Sequence, residues 1–243
     1  GTLLQSTMDE YGKNIGAYAM AGVGHLLYSI PVVLISVVVM YLVLLVYFVI
    51  VGAAVASTAN TVSSQDMEGF IFVGILSYLG VLVFVIIGMT SLINLLMAPI
   101  NASLLRAVAK QQRDEEKLTI GSCFSTATQD LMPVLGVTLA ISTLGGLLSL
   151  FCILPGLLAP LFLGFATSLV ALHQTRASDA MKIAAAHARG HLGWHALYML
   201  LHWMFTMLAN NIPVLGPTFV AAFHVQATKA LFGDALETTA AEA

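Results

Sequence analysis

Charged side chains are scarce in this chain. Asp, Glu, Lys and Arg together make up 9% of its 243 residues, where a soluble domain carries about 25%. So few charges cannot cover a water-soluble protein of this size. Much of the apolar 59% of the chain must therefore face another apolar medium, and a bilayer is the simplest candidate. The formal net charge is only -3, and no basic stretch interleaved with aromatics occurs, which argues against nucleic acid as a partner. Cysteine is nearly absent. Cys123 and Cys152 stand alone, with no CxxC and no Cys/His spacing of the kind that holds zinc. No phosphate-cradling glycine loop and no nucleophile elbow is present.

What the chain does have is long apolar runs. Residues 17–55 contain no Asp, Glu, Lys or Arg. As one helix they would extend about 58 Å, well beyond the hydrocarbon core of about 30 Å, yet two crossings and a turn do not fit that length. We read one span over 29–55 behind a lead-in helix, with Pro31 marking a join or kink. Further spans are expected at 70–97, 133–150, 155–172, 194–209 and 213–227. The second helix is expected to run on past Pro99 through Leu104, Leu105 and Val108. A tight turn separates the third and fourth spans, and Asn210, Asn211 and Pro213 break the helix between the last two. The last two spans lie near the lower limit of about 17 residues for crossing.

The basic residues give the orientation. Lys13, Arg106, Lys110, Arg113, Lys117, Arg176, Lys182, Arg189 and Lys229 are the nine. With six spans, each falls in the N-terminal segment, the second or fourth loop, or the C-terminal end. The other three loops (56–69, 152–156 and 210–213) hold no Lys or Arg, and Asp66 and Glu68 are their only charges. This is the positive-inside pattern, with both termini on the cytoplasmic side.

A threefold organisation is also legible. Leu4, Met8, Tyr11, Ile15 and Tyr18 recur at helical spacing before the first span. Ile120, Phe124, Ala127 and Leu131 do so before the third, and Ala180, Ile183, Ala184 and His187 before the fifth. Short amphipathic helices of this kind lie in the membrane interface. The expected fold is all-α: a polytopic transmembrane bundle of six spans, built as three helical hairpins each preceded by an interfacial helix. It forms a single domain over residues 1–233, with a short polar tail at 234–243.

Chemistry inside the spans is sparse. No Asp or Glu lies within them and no Lys or Arg at mid-depth, although ion-coupled transporters usually use such groups. His187, His191 and His195 are spaced four apart, the interval that puts two imidazoles within reach of one metal ion. Gly190 and Gly193 interrupt that face, so the ordinary reading is interfacial histidines near headgroups, and no metal or cofactor is expected. His202 and His224 lie ten residues before and twelve after Ile212. In an antiparallel hairpin they would sit within about 3 Å of one depth. A polar group there needs a partner: a carbonyl, Asn94 or the other histidine on the ordinary reading, and a bound cofactor on the sharper one.

Several short motifs fall into a recognisable order. Met97-Ala98-Pro99 precedes Leu104-Leu105-Arg106-Ala107, and Thr119-Ile120-Gly121-Ser122-Cys123-Phe124 follows a charged loop. Then come Leu131-Met132-Pro133-Val134-Leu135-Gly136, Cys152-Ile153-Leu154-Pro155-Gly156, and Ser178-Asp179-Ala180-Met181-Lys182 before Gly190 and Trp194. Over residues 97–233 this resembles a broad group of uncharacterised bacterial six-span membrane proteins. That group includes the membrane domain of some glycerophosphodiester phosphodiesterases. The chain departs from the pattern at His173-Gln174, where an acidic residue is common, and at Ala184-Ala185-Ala186, where a Ser is common. The resemblance implies a bacterial inner-membrane location and the six-span plan, and it supplies no catalytic residues.

Taken together, the sequence points to a non-enzymatic integral membrane protein, an accessory or scaffold subunit packed in the bilayer against other membrane-protein subunits. The alternative is a transporter or lipid-handling protein, whose small-molecule ligand the sequence does not identify. A polar cavity near His202 would favour that alternative. The topology is tested by a membrane-impermeant thiol reagent on intact cells, which should label Cys152; labelling of Cys123 alone would reverse the orientation.

Overall fold

A computed structural model describes residues 2–58, 64–113, 115–151, 156–209 and 211–241. These residues form helices joined by turns, with no strand among them. In chain order the helices are α1 (Thr2–Lys13), α2 (Ile15–Thr58), α3 (Ser64–Gln111), α4 (Ser122–Ser125), α5 (Leu131–Phe151), α6 (Leu158–Leu163), α7 (Ala166–His173), α8 (Ala177–Gly190), α9 (Leu192–Ala209) and α10 (Gly216–Ala241). Three segments are long and apolar enough to cross a membrane: Ile15–Ala53, Phe72–Gln111 and Leu131–Ser149. Leu158–His173 is apolar but shorter.

The helix does not break at Pro31, and the next one runs on past Pro99 as expected. Pro31 lies inside α2 and Pro99 inside α3. A proline removes one backbone donor, and a long apolar helix tolerates that single loss where it has no better place to turn. The loop expected at 56–69 shrinks correspondingly, because α2 runs to Thr58 and α3 starts at Ser64. The fourth expected span is divided: α6 and α7 are separated by Gly164 and Phe165, whose backbone keeps helical angles. The last helix starts at Gly216 and continues through the expected tail to Ala241. The turn motif at residues 152–155 lies outside the described residues.

The chain divides into two compact units, Gly1–Ile30 with Asn94–Ala243, and Pro31–Ile93. The second unit consists of the apolar stretches of α2 and α3. Most of its large side chains are exposed, among them Leu34, Tyr41, Phe48, Phe72 and Phe84. Tyr78 approaches Tyr47 and Phe48, with ring centroids 6.3 and 5.9 Å apart.

In the first unit α10 packs against α1, α7 and α9, while α5 packs against α6, α7 and α8. Its core includes Tyr18, Ile100, Val108, Phe165, Leu169, Phe223 and Phe232, all fully buried. Of the three expected interfacial helices, α8 keeps its face, burying Ala180, Ala184 and Ala188. In α1 the buried positions are Thr7 and Tyr11, followed by Tyr18 in α2, while Met8 and Ile15 are exposed. Tyr11 sets that face: its hydroxyl donates to Leu215 O at 2.7 Å and pairs with Thr218 Oγ1 at 2.9 Å. Before α5 the chain forms only the four-residue α4 and turns. Gly121 and three side-chain to backbone bonds between Thr119 and Ser122 favour a turn there.

Arg106 ties this region together from inside. Its Nε donates to Ala171 O at 2.8 Å, Nη1 to Thr126 O at 2.9 Å and Nη2 to Asp130 Oδ2 at 3.1 Å. Cys123 is fully buried, its thiol donating to Ala21 O, and burial pushes it up to about 11. Its burial slows labelling at Cys123.

Close approach at three glycines completes the unit. A Cβ at Gly22 would meet Val214 O, one at Gly24 would lie 2.6 Å from Ile120 O, and one at Gly216 would lie 2.3 Å from Ala209 Cα. Gly216→Val should cost about 1–3 kcal/mol by overpacking and lower the thermal midpoint, whereas Gly12→Ala, in open space, should leave it unchanged. Equal midpoints for the two variants would show that α9 and α10 do not meet as described.

Candidate functional site

α9 and α10 carry the polar residues that the sequence singled out. Tyr198 and His202 are one turn apart on α9, and His224 reaches them from α10. The Tyr198 hydroxyl is shared: it pairs with His202 Nδ1 at 3.3 Å and with His224 Nδ1 at closer range. The two imidazoles are 5.6 Å apart between ring centroids. They are thus brought together as the matched depth implies, but the partner of each is Tyr198 rather than Asn94 or the other histidine. Phe165 sits against Tyr198 and His224, 4.2 and 5.3 Å between centroids. His224 Nε2 is closed off and has no hydrogen-bond partner among the described residues.

His202 and His224 line two adjoining cavities of about 300 and 490 Å³, within the range of about 300–1,000 Å³ typical of small-molecule sites. Neither is sealed. The smaller is walled by α3, α5, α6, α7, α9 and α10, with Asn94, Asn101, Thr138, Ser142, Thr167 and Tyr198 as its other polar residues. The larger adds His25 and Thr206. His25 Nε2 is 2.9 Å from Asn101 Oδ1. No Asp, Glu, Lys or Arg lines either cavity.

The sequence reading did not assemble this wall. Its signal is a stripe of neutral polar residues at helical spacing on apolar spans: Asn94 and Asn101, Thr138 and Ser142, Tyr198 and His202. Each pair is common singly in spans, and only the packing of α3, α5, α7, α9 and α10 turns them toward one space.

The second histidine group is arranged differently from its linear spacing. α8 ends at Gly190, and His191 leaves helical geometry with φ -133° and ψ 43°. The resulting bend still brings His187 Nδ1 to 2.9 Å from His195 Nε2, with the His187 and His191 ring centroids 4.6 Å apart. His195 lies inside the protein. It is 1% exposed, beside Phe165, with Nδ1 3.2 Å from Leu161 O. Among the described residues no group of three or more His, Cys, Asp or Glu is arranged to hold a metal ion. No family model, curated protein or solved structure matches the chain.

Burial first, then the His195 and His191 imidazoles, push His187 below the usual histidine range. Folding therefore disfavours its protonation, and its bond to His195 needs one unprotonated nitrogen. Below about pH 6.5 the unfolded chain protonates this residue before the folded one does. Stability is thus full above that pH and declines as the pH falls. His187→Gln should reduce the slope of thermal midpoint against pH between about 8 and 5. An unchanged slope would show that His187 does not carry this dependence.

Proposed function

We propose that the chain is an integral protein of the bacterial inner membrane that takes a small molecule or a lipid headgroup into the cavity beside Tyr198, His202 and His224. On this reading it crosses six times as three hairpins with both termini in the cytoplasm, and it is a lipid-handling or transport protein. The observation that carries the reading is a cavity of about 300 Å³ at the depth of the spans, with hydrogen-bonding walls. A region built only to pack against lipid or a partner would fill such a space with apolar side chains. The topology draws its support from the nine basic residues, none of them in the three loops assigned to the outside. The resemblance over residues 97–233 supports the membrane and the span number.

The accessory-subunit reading rests on a different observation. The most apolar windows of Ile15–Ala53 and Phe72–Gln111 are only 6% and 0% buried within the chain. That surface faces lipid or a protein partner, and the two roles are compatible in one molecule.

Purification from the native membrane into nanodiscs, followed by native mass spectrometry, separates them. The cavity reading expects a bound small molecule whose occupancy falls about tenfold or more in an Asn94→Leu, Thr167→Leu variant of unchanged thermal midpoint, as loss of two hydrogen bonds near 1 kcal/mol each implies. Bound species identical in kind and occupancy between native chain and variant would overturn it. A stoichiometric protein partner retained by both would support the accessory role.

A further inference from the structure

Resting on the cavity reading above, the wall chemistry specifies the class of ligand. Hydroxyls on apolar helices commonly satisfy themselves on the preceding turn. Thr90 Oγ1 donates to Ile86 O at 2.9 Å, Ser149 Oγ to Gly145 O at 2.7 Å and Thr228 Oγ1 to His224 O at 2.8 Å. Thr138, Ser142 and Thr167 make no such bond. Nor does the Asn94 side chain find any hydrogen-bond partner among the described residues. These four groups come from α3, α5 and α7 and meet on the wall of the same cavity. Asn94 is exposed and the three hydroxyl residues are half-buried, so their free donors and acceptors are open to the cavity and converge where a bound molecule can complete the bonding.

The same wall offers an ion no fixed counter-charge. An anionic headgroup entering either cavity would meet no Lys or Arg, and a cationic one no Asp or Glu. Taking a lone charge out of water without a counter-charge costs several kcal/mol. The amide and the three hydroxyls each both donate and accept. A phosphate only accepts and an ammonium only donates, whereas a hydroxyl pairs with such groups in either sense. We infer that the cavity binds an uncharged polyhydroxyl group, as a free sugar or polyol or as the headgroup of a neutral glycolipid. Asn94, Thr138, Ser142 and Thr167 are its hydrogen-bonding residues.

The test uses the full chain in phosphatidylcholine nanodiscs, prepared without glycosidic detergent. The probes are maltose, a neutral diglycosyl diacylglycerol and phosphatidylserine, read by thermal midpoint and native mass spectrometry. Saturable binding of the glycolipid alone identifies a lipid source, and binding of maltose, or its competition with the glycolipid, identifies the sugar itself as the recognised group. In either case Thr138→Val and Thr167→Val, which keep the shape and remove the hydroxyl, should each weaken binding about fivefold. Ser142→Ala serves as the second route should either variant fold poorly. Binding of phosphatidylserine that these variants weaken, with neither polyhydroxyl probe bound, would overturn the ligand class while leaving the cavity reading intact. No variant-sensitive binding of any probe, together with unchanged occupancy in the Asn94→Leu, Thr167→Leu variant, would overturn both.

Discussion

The constraint on which everything else depends is that a bilayer interior offers no water to complete a hydrogen bond. Helices answer it for the backbone, and the long uninterrupted α2 and α3 are its direct expression. Buried side chains of the first unit face the same demand wherever the protein itself excludes water. Arg106 places donors on two carbonyls and a carboxylate. Tyr11 closes on Leu215 O and Thr218, and the buried Cys123 thiol finds Ala21 O. The buried Tyr18 and Thr175 hydroxyls have no partner among the described residues, and the hydroxyls of the cavity differ from them in being gathered on one open wall.

The two units meet the constraint differently. In Pro31–Ile93 most of the large apolar side chains stay exposed. In the other unit, glycines let backbone approach backbone or side chain, as at Gly22 against Val214 and Gly216 against Ala209. Alanines do the same for α8, which buries three of them one turn apart. Small residues there replace the large apolar ones because close helix contact, not exclusion of water, sets the fit inside a membrane.

Much of this was legible in the residues. Apolar runs located α5 and α9 to within two residues at either end, since each is bounded by polar or turn-forming positions. The matched positions of His202 and His224 about Ile212 anticipated their meeting. Pro31 marks no join, because a single missing donor does not end a helix with no competing turn nearby, whereas the helix running on past Pro99 was anticipated. The face of α1 misled, because apolarity alone ranks Met8 and Ile15 with Tyr11, whereas the tyrosine hydroxyl's two partners on and beside α10 decide the rotation. The cavity wall was the least legible part. Thr138, Ser142 and Thr167 are unremarkable in sequence, and their lack of a bond is a fact of rotamer and packing.

The shared hydroxyl of Tyr198 has a further consequence, which concerns the counting of protons. A phenol carries one hydrogen, so it can donate to only one of the two Nδ1 atoms it touches and must accept from the other. With both rings neutral, the two imidazoles are therefore opposite tautomers: one carries its hydrogen on Nε2 and the other on Nδ1. Passing the phenolic hydrogen from one side to the other would require both rings to exchange tautomers together. The pair lining the cavity is thus not two equivalent histidines but a polarised set, one Nε2 a donor and the other an acceptor, with its direction set by a single hydrogen.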